Sequence, residues 1–275
     1  MILKAQQLGI KFIAGERVGR FEGTIGGGAG DVGGIRTADG LEHRADRVLM
    51  ACGPWTPSLV PELDGLITVV GHPLAYVKVP EEIAHKFHSD VFPGWAADIS
   101  RTGWYGFPAD PSTGNMLKLG VHGNGFVTRV RLPDGRECSV PVPGALPPAS
   151  GLTQFRHFVD ATFPELRDAP IVKTRLCYYC DTWDMYFYIS AVPGRPNLFV
   201  ATGGSGHAFK FTPVLGDIIA DCVEGKANAL AGDRFSWRTP PARNHTAAEP
   251  ARKADGVPDE YHPTIAQLNA LHSKL

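Results

Sequence analysis

Apolar and polar positions alternate along residues 115–122, placing Leu117, Leu119 and Val121 on one side of a strand and Met116, Lys118, Gly120 and His122 on the other. The apolar side predicts core. The polar side offers a cation, an imidazole and a glycine gap against which a planar ring could lie. Taken alone, this pattern favours an edge strand with a solvated lysine. Further on, Leu198, Phe199 and Val200 form a short apolar strand, and Gly203, Gly204 and Gly206 then permit a tight turn or a close approach to a ligand. Thr212 is placed to cap a helix with Pro213 at its first position. Val214, Leu215, Ile218, Ile219, Cys222 and Val223 recur at helical spacing up to Gly225, the expected terminator. Ser205, His207 and Lys210 sit on the intervening turn, which reads equally as a ligand site or as a surface turn with an incidental His and Lys.

The same reading predicts a helix end over residues 2–9, a strand over 10–14, a hairpin turning at Asp39 and Gly40, and a strand over 47–50. Another hairpin is expected around residues 133–136, a proline-rich passage over 140–148 and a helix over 154–163 that stops before Pro164. Residues 28–33, GAGDVG, satisfy the dinucleotide-binding pattern G-x-G-x-x-G. That pattern has meaning only where a strand leads in and a helix N-terminus follows to receive a pyrophosphate. Here strand-forming residues follow, so the glycines predict a hairpin loop.

Composition narrows the partners by exclusion. The 275 residues carry a formal net charge of −1 with charges interspersed, giving no basic stripe for nucleic acid and no polybasic membrane patch. No apolar run is long enough to span a bilayer. A small-molecule substrate is the default partner. The five cysteines show no paired extracellular pattern, which predicts a reducing compartment. Cys177 and Cys180 form a C-x-x-C without a second ligand pair, in strand-like surroundings, so each reads on its own as a small buried hydrophobe and no metal is expected.

Four segments together resemble the FAD-dependent amine oxidases related to D-amino-acid oxidase, in the branch of monomeric sarcosine oxidase and fructosyl amino acid oxidase. They are VLMACGPWTPSLVP from Val48, WYGFPADPSTGNMLKLGVH from Trp104, RLCYYCDTWD from Arg175 and GGSGHAFKF from Gly203, in the family's order. The resemblance implies an α/β (α+β) fold: the C-terminal part of a FAD-binding Rossmann-like domain of glutathione-reductase type, with an inserted mixed or antiparallel sheet as substrate domain. Residues 1–66 would be a partial FAD domain, 67–171 the substrate domain, 172–237 the return to the FAD domain and 238–275 a tail. The family's N-terminal βαβ unit, with its ADP-binding elements, has no counterpart here, which raises the expectation of a truncated gene model or natural fragment.

The resemblance also implies FAD as cofactor, tethered by a thioether from Cys177 to its 8α carbon. It places Gly53, Trp55, Thr56, Gly203, Gly204, Ser205, Gly206 and His207 against the flavin. By the same likeness Lys118 would promote reaction with oxygen, Lys210 would bind a substrate carboxylate and His122 would line the pocket. The implied activity is oxidation of the C–N bond of a secondary-amine amino acid of the sarcosine, fructosyl amino acid, pipecolate or saccharopine type, with oxygen reduced to hydrogen peroxide. An inactive remnant of such an oxidase, or a flavin dehydrogenase that avoids oxygen, are the competing expectations. Ser190, Ala191 and Val192 depart from the family's usual Asp and His before the proline. Trp183 and Asp184 read equally as residues that tune the pocket or as a solvated turn. Ser273, Lys274 and Leu275 form a peroxisomal address and predict binding to the import receptor.

Overall fold

The computed structural model describes residues 1–13, 23–26, 32–37, 40–99, 101–123, 125–142, 144–240 and 254–256. Ser273, Lys274 and Leu275, expected to form a peroxisomal address, and residues 28–31 of the glycine run lie outside them. Helix α1 (Ile2–Gln7) opens the chain and buries none of its side chains. The strand expected over residues 10–14 does not form at its described positions. Ile10, Phe12 and Ile13 are exposed, and no described strand pairs with them.

A small antiparallel sheet follows, made of β1 (Gly23–Gly26), β2 (Val32–Arg36) and β3 (Glu42–Arg44). Gly26 faces Val32 in its ladder, so the glycine run joins two antiparallel strands and not a strand to a phosphate-binding helix. Strand β4 (Val48–Met50) leads through a 3-10 turn, Gly53–Trp55, into the short helix α2 (Thr56–Leu59).

The central element is a seven-stranded sheet. Its members are β5 (Ile67–Lys78), β6 (Trp95–Ala97), β7 (Trp104–Phe107), β8 (Met116–Val121), β9 (Gly125–Val127), β12 (Ile171–Thr182) and β15 (Ala254–Gly256). The hairpin of β10 (Arg129–Arg131) and β11 (Glu137–Ser139) projects from it as expected. The long strand β12 runs antiparallel to β5 over almost its whole length, from Lys173 opposite Tyr76 to Thr182 opposite Ile67. On the other edge of β5 come β8 and then β7.

One face of this sheet is core. Leu117, Leu119 and Val121 of β8 pack with Ala75 and Val77 of β5 against Phe155 and Val159 of α3 (Ala149–Thr162). Burying such side chains is worth about 1.5–3 kcal/mol each, so the period-two pattern of β8 is energetically enforced. Helix α3 starts ahead of the expected residue 154 because residues 149–153 continue its turns from Pro148 and bring Leu152 into the core.

A third sheet, β13 (Tyr188–Val192), β14 (Arg195–Thr202) and β4, holds the strand that leads to the glycine turn. Helix α4 (Thr212–Glu224) packs Ile218 with Val214, Leu215, Ile219 and Cys222 against Phe187 and Ile189, and ends at Gly225 in the left-handed conformation. Thr212 does not cap it. A 3-10 turn, Ala208–Phe211, runs straight into the helix, so Thr212 is already helical and its hydroxyl donates to the Phe209 carbonyl at 2.5 Å. No described helix is long and apolar enough to cross a membrane.

Candidate active site

The ladder registers gather the chemistry on the face of the central sheet opposite α3. Residues paired directly across antiparallel strands project to the same side. Lys173, Tyr76, Lys118 and Phe107 therefore form one row across β12, β5, β8 and β7. Arg175, Leu74, Gly120 and Tyr105 form the next, and Cys177 faces His72 in the third. His122 continues the alternation of β8, and its ring lies 6.2 Å from that of His72 and 5.8 Å from that of Tyr179. The Tyr179 and His72 rings are 4.0 Å apart.

Lys118 is half-buried, with its ammonium 4.9 Å from the centre of the Phe107 ring. The expected glycine gap at Gly120 is already filled: a Cβ there would meet the Tyr105 ring at 2.3 Å. The glycine thus makes room for the Tyr105 ring, which fills the gap that the sequence reading kept for a ligand. Burial pushes the Tyr105 phenol well above its ordinary range. Neighbouring Tyr179 and Cys177 and a hydrogen bond with Tyr179 push the same way, while Arg175 opposes them. Tyr105, Tyr179 and His72 were not singled out in the sequence. Period two from Cys177 points to Tyr179, but only the register with β5 and β7 reveals the other two.

The glycine turn docks onto this face through β12. Gly203 and Gly206 adopt φ of 75° and 71°, and Ser205, fully buried, also sits in the left-handed region at 46°. The Ser205 amide donates to the Cys180 carbonyl at 3.0 Å, and its hydroxyl accepts from the Thr182 amide at 3.2 Å. A side chain on Gly206 would strike the Tyr179 ring at 2.3 Å, so a glycine is required where the turn crosses that tyrosine. Gly204 lies against Ala208, and the His207 ring stands 3.0 Å from the Ser205 carbonyl.

Gly53 joins the same cluster. Its carbonyl accepts from the Thr202 hydroxyl at 3.3 Å and from the Cys180 thiol at 3.5 Å. Trp55 beside it is exposed, whereas Thr56 is fully buried and its hydroxyl has no hydrogen-bond partner. Lys210 is solvent-exposed, with its ammonium 5.7 Å from the Phe211 ring.

Both C-x-x-C cysteines are free, and their odd spacing puts them on opposite faces of β12. Cys177 is half-exposed on the Lys118 face. Cys180 is buried in the core, and burial raises its thiol to about 11. No described cluster of His, Cys, Asp and Glu is fit to hold a metal.

Of the two readings of Trp183 and Asp184, the structure rules out the solvated turn. Arg238 grips both carboxylate oxygens of Asp184 at 2.6 Å and also donates to the carbonyls of Phe187 and Tyr186 at 2.9 and 2.7 Å. The Trp183 indole donates to the Tyr188 hydroxyl, which in turn donates to the Arg238 carbonyl. This knot ties the segment after α4 to the turn that carries Phe187, whose ring lies 5.3 Å from His207.

The residues present fit the ring end of a flavin. Cys177 and Lys118 offer a half-exposed thiol and ammonium on one sheet face, Thr56 keeps an unpartnered buried hydroxyl beside Gly53, and Gly53 has open space above its Cα.

Comparison with known proteins agrees. L-saccharopine oxidase of Schizosaccharomyces pombe is 30% identical over 249 residues, covering 86% of this chain and 56% of that protein. N-methyl-L-tryptophan oxidase of Citrobacter koseri is 33% identical over 196 residues, 71% of this chain and 48% of the relative. Among solved structures, the fructosyl amine:oxygen oxidoreductase (Amadoriase I) of Aspergillus fumigatus superposes with a TM-score of 0.76 at 28% identity, covering 86% of this chain and 52% of that one. The chain thus spans about half the length of these relatives. The family model described as FAD dependent oxidoreductase matches residues 1–222, and with these relatives it establishes that the chain belongs to that family, in its sarcosine and fructosyl amino acid oxidase branch.

Proposed function

We propose that this chain supplies the flavin-ring and substrate portion of an oxidase acting on the C–N bond of a secondary-amine amino acid. The observation that carries the reading is the shared sheet face on which Lys118, Cys177 and the Tyr105–Tyr179 pair meet, with the Gly203–His207 turn docked against its edge. FAD, when bound, supplies the redox chemistry. Lys118 stabilises negative charge developing on oxygen, in a setting where the Phe107 ring shields one side of its ammonium. Lys210 binds the substrate carboxylate, and His122, held beside Tyr179 and His72, lines the pocket. Cys177 is the covalent tether: it is half-exposed on the site face, whereas the Cys180 thiol points into the core.

Intact mass under denaturing conditions, measured beside visible absorbance of the native chain, tests the reading. One FAD added to the mass, and lost in Cys177→Ala, is the expected result. Lys118→Met then leaves flavin in place and slows its reoxidation by oxygen at least tenfold. An unmodified, colourless chain supplied with FAD during folding defeats the proposal.

A further inference from the structure

The first two rows of the site face carry three cations and no carboxylate. Lys173 and Lys118 flank Tyr76, and Arg175 stands one row away, beside Leu74 and in line with Gly120 and Tyr105. The Lys173 ammonium lies 5.4 Å from the Tyr76 ring and that of Lys118 lies 4.9 Å from Phe107, so aromatic rings, not acids, hold them in place. The ion pairs among the described residues involve none of the three. The first acid on this face of β12 is Asp181, beyond Cys177 and Tyr179, and it is buried. Arg175 shares its row with Tyr105 through Leu74 and Gly120, so it projects to the same side of the sheet as Lys118.

We propose that Arg175 and Lys173 form an anion subsite for a second carboxylate of the substrate, making the preferred substrate a secondary amine with one carboxylate on each side of its nitrogen. The inference rests on the oxidase reading above and narrows it. One carboxylate falls to Lys210 there, and Lys118 is committed to oxygen, which leaves Arg175 and Lys173 for a distal anion. A guanidinium offers a carboxylate two parallel donors, and an ammonium beside it adds charge. A sugar substituent calls instead for neutral donor and acceptor pairs, and an indole for an apolar wall. Neither matches two lysines in one row with an arginine in the next.

The test uses two probes identical except for the distal group: N-(3-carboxypropyl)glycine and N-butylglycine, titrated calorimetrically into the full chain at 50 mM and 500 mM salt. The dicarboxylate is expected to bind about tenfold tighter at low salt, the scale two half-solvated charge contacts supply together, with the preference largely erased at high salt. Arg175→Gln and Lys173→Gln each lose part of the preference and the double variant loses all of it, while Arg175→Lys restores some. Lys210→Met weakens both probes alike. Both cations are exposed, so circular dichroism and thermal midpoint should stay at wild-type values in these variants. Equal affinity for the two probes, a preference that survives in the double variant, or no binding of either probe overturns the subsite. Failure of the oxidase reading shows separately, as absent flavin mass and absorbance.

Discussion

Removing one partner from the Asp184–Arg238 pair should cost far more than a surface ion pair does. The two side chains are only 16% and 20% exposed. Arg238 spends two bonds of 2.6 Å on the carboxylate, which also accepts from the Tyr186 amide at 3.2 Å and the Thr182 hydroxyl at 3.3 Å. Breaking a fully buried pair costs about 3–5 kcal/mol, and the residual exposure here brings the expectation for Asp184→Asn to about 2–3 kcal/mol. For a chain of this size that is roughly 5–10 °C in thermal midpoint. In a double-mutant cycle with Arg238→Met, the coupling energy should be about 2 kcal/mol, because each single variant leaves the other partner stranded. Urea unfolding followed by tryptophan fluorescence measures it, with Trp183 and Trp237 both beside the knot.

The pH dependence has a definite sign. Burial alone would raise the Asp184 carboxyl, but the Arg238 bonds and the Tyr186 amide outweigh it and lower it below the ordinary 3.8. A depressed carboxylate contributes its full stabilisation above the unfolded value and loses it as the pH falls through the folded one. The gap between wild type and Asp184→Asn should therefore hold at neutral pH and close below pH 3.8. Strict additivity of the two variants at pH 7, or a gap that is unchanged in acid, would refute the reasoning.

Three other outcomes follow from the geometry. Gly103→Ala should destabilise by about 3 kcal/mol in urea and perturb the His122 imidazole resonances, because its Cβ would sit 1.7 Å from the His122 carbonyl at a φ of 78°. Tyr105 should stay neutral well above pH 10, seen as one late-ionising phenol in an ultraviolet titration that Tyr105→Phe removes. Since its folded value is raised, the stabilisation it provides is present below the ordinary 10.0 and lost as the pH climbs through the folded value. Brief alkylation at pH 8, read by peptide mass, should modify Cys177 well before Cys180, whose thiol is buried and raised to about 11.

What was legible in the sequence is what short-range periodicity encodes. The alternation of β8 and the strand, glycine turn and helix from Leu198 to Gly225 are where the residues predicted them, because each buries a continuous apolar side. The pairing of Cys177 with His72 was not legible, since it depends on a ladder between strands about a hundred residues apart, and nothing local to either residue specifies it. Gly120 was read as a gap for a ligand because a glycine in a strand says only that something approaches closely; the ring that does so belongs to Tyr105. Thr212 has the chemistry of a cap, but the preceding 3-10 turn supplies the entry to α4 and leaves its hydroxyl a nearer acceptor. Nothing local to Asp184 could decide between a pocket role and a solvated turn, because its partner is 54 residues away.

The ladder of β12 on β5 also guards against its own misassembly. Lys173, Arg175, Cys177 and Tyr179 share one side, and Thr174, Leu176, Tyr178 and Cys180 the other. A slip of one residue would exchange the two sets, driving two cations onto the side where Thr174 and Cys180 are buried and moving the buried thiol to the side of the exposed lysine and arginine. The two cations of β12 thus act as a proofreading signal during folding, because they make every odd-numbered misregister costly.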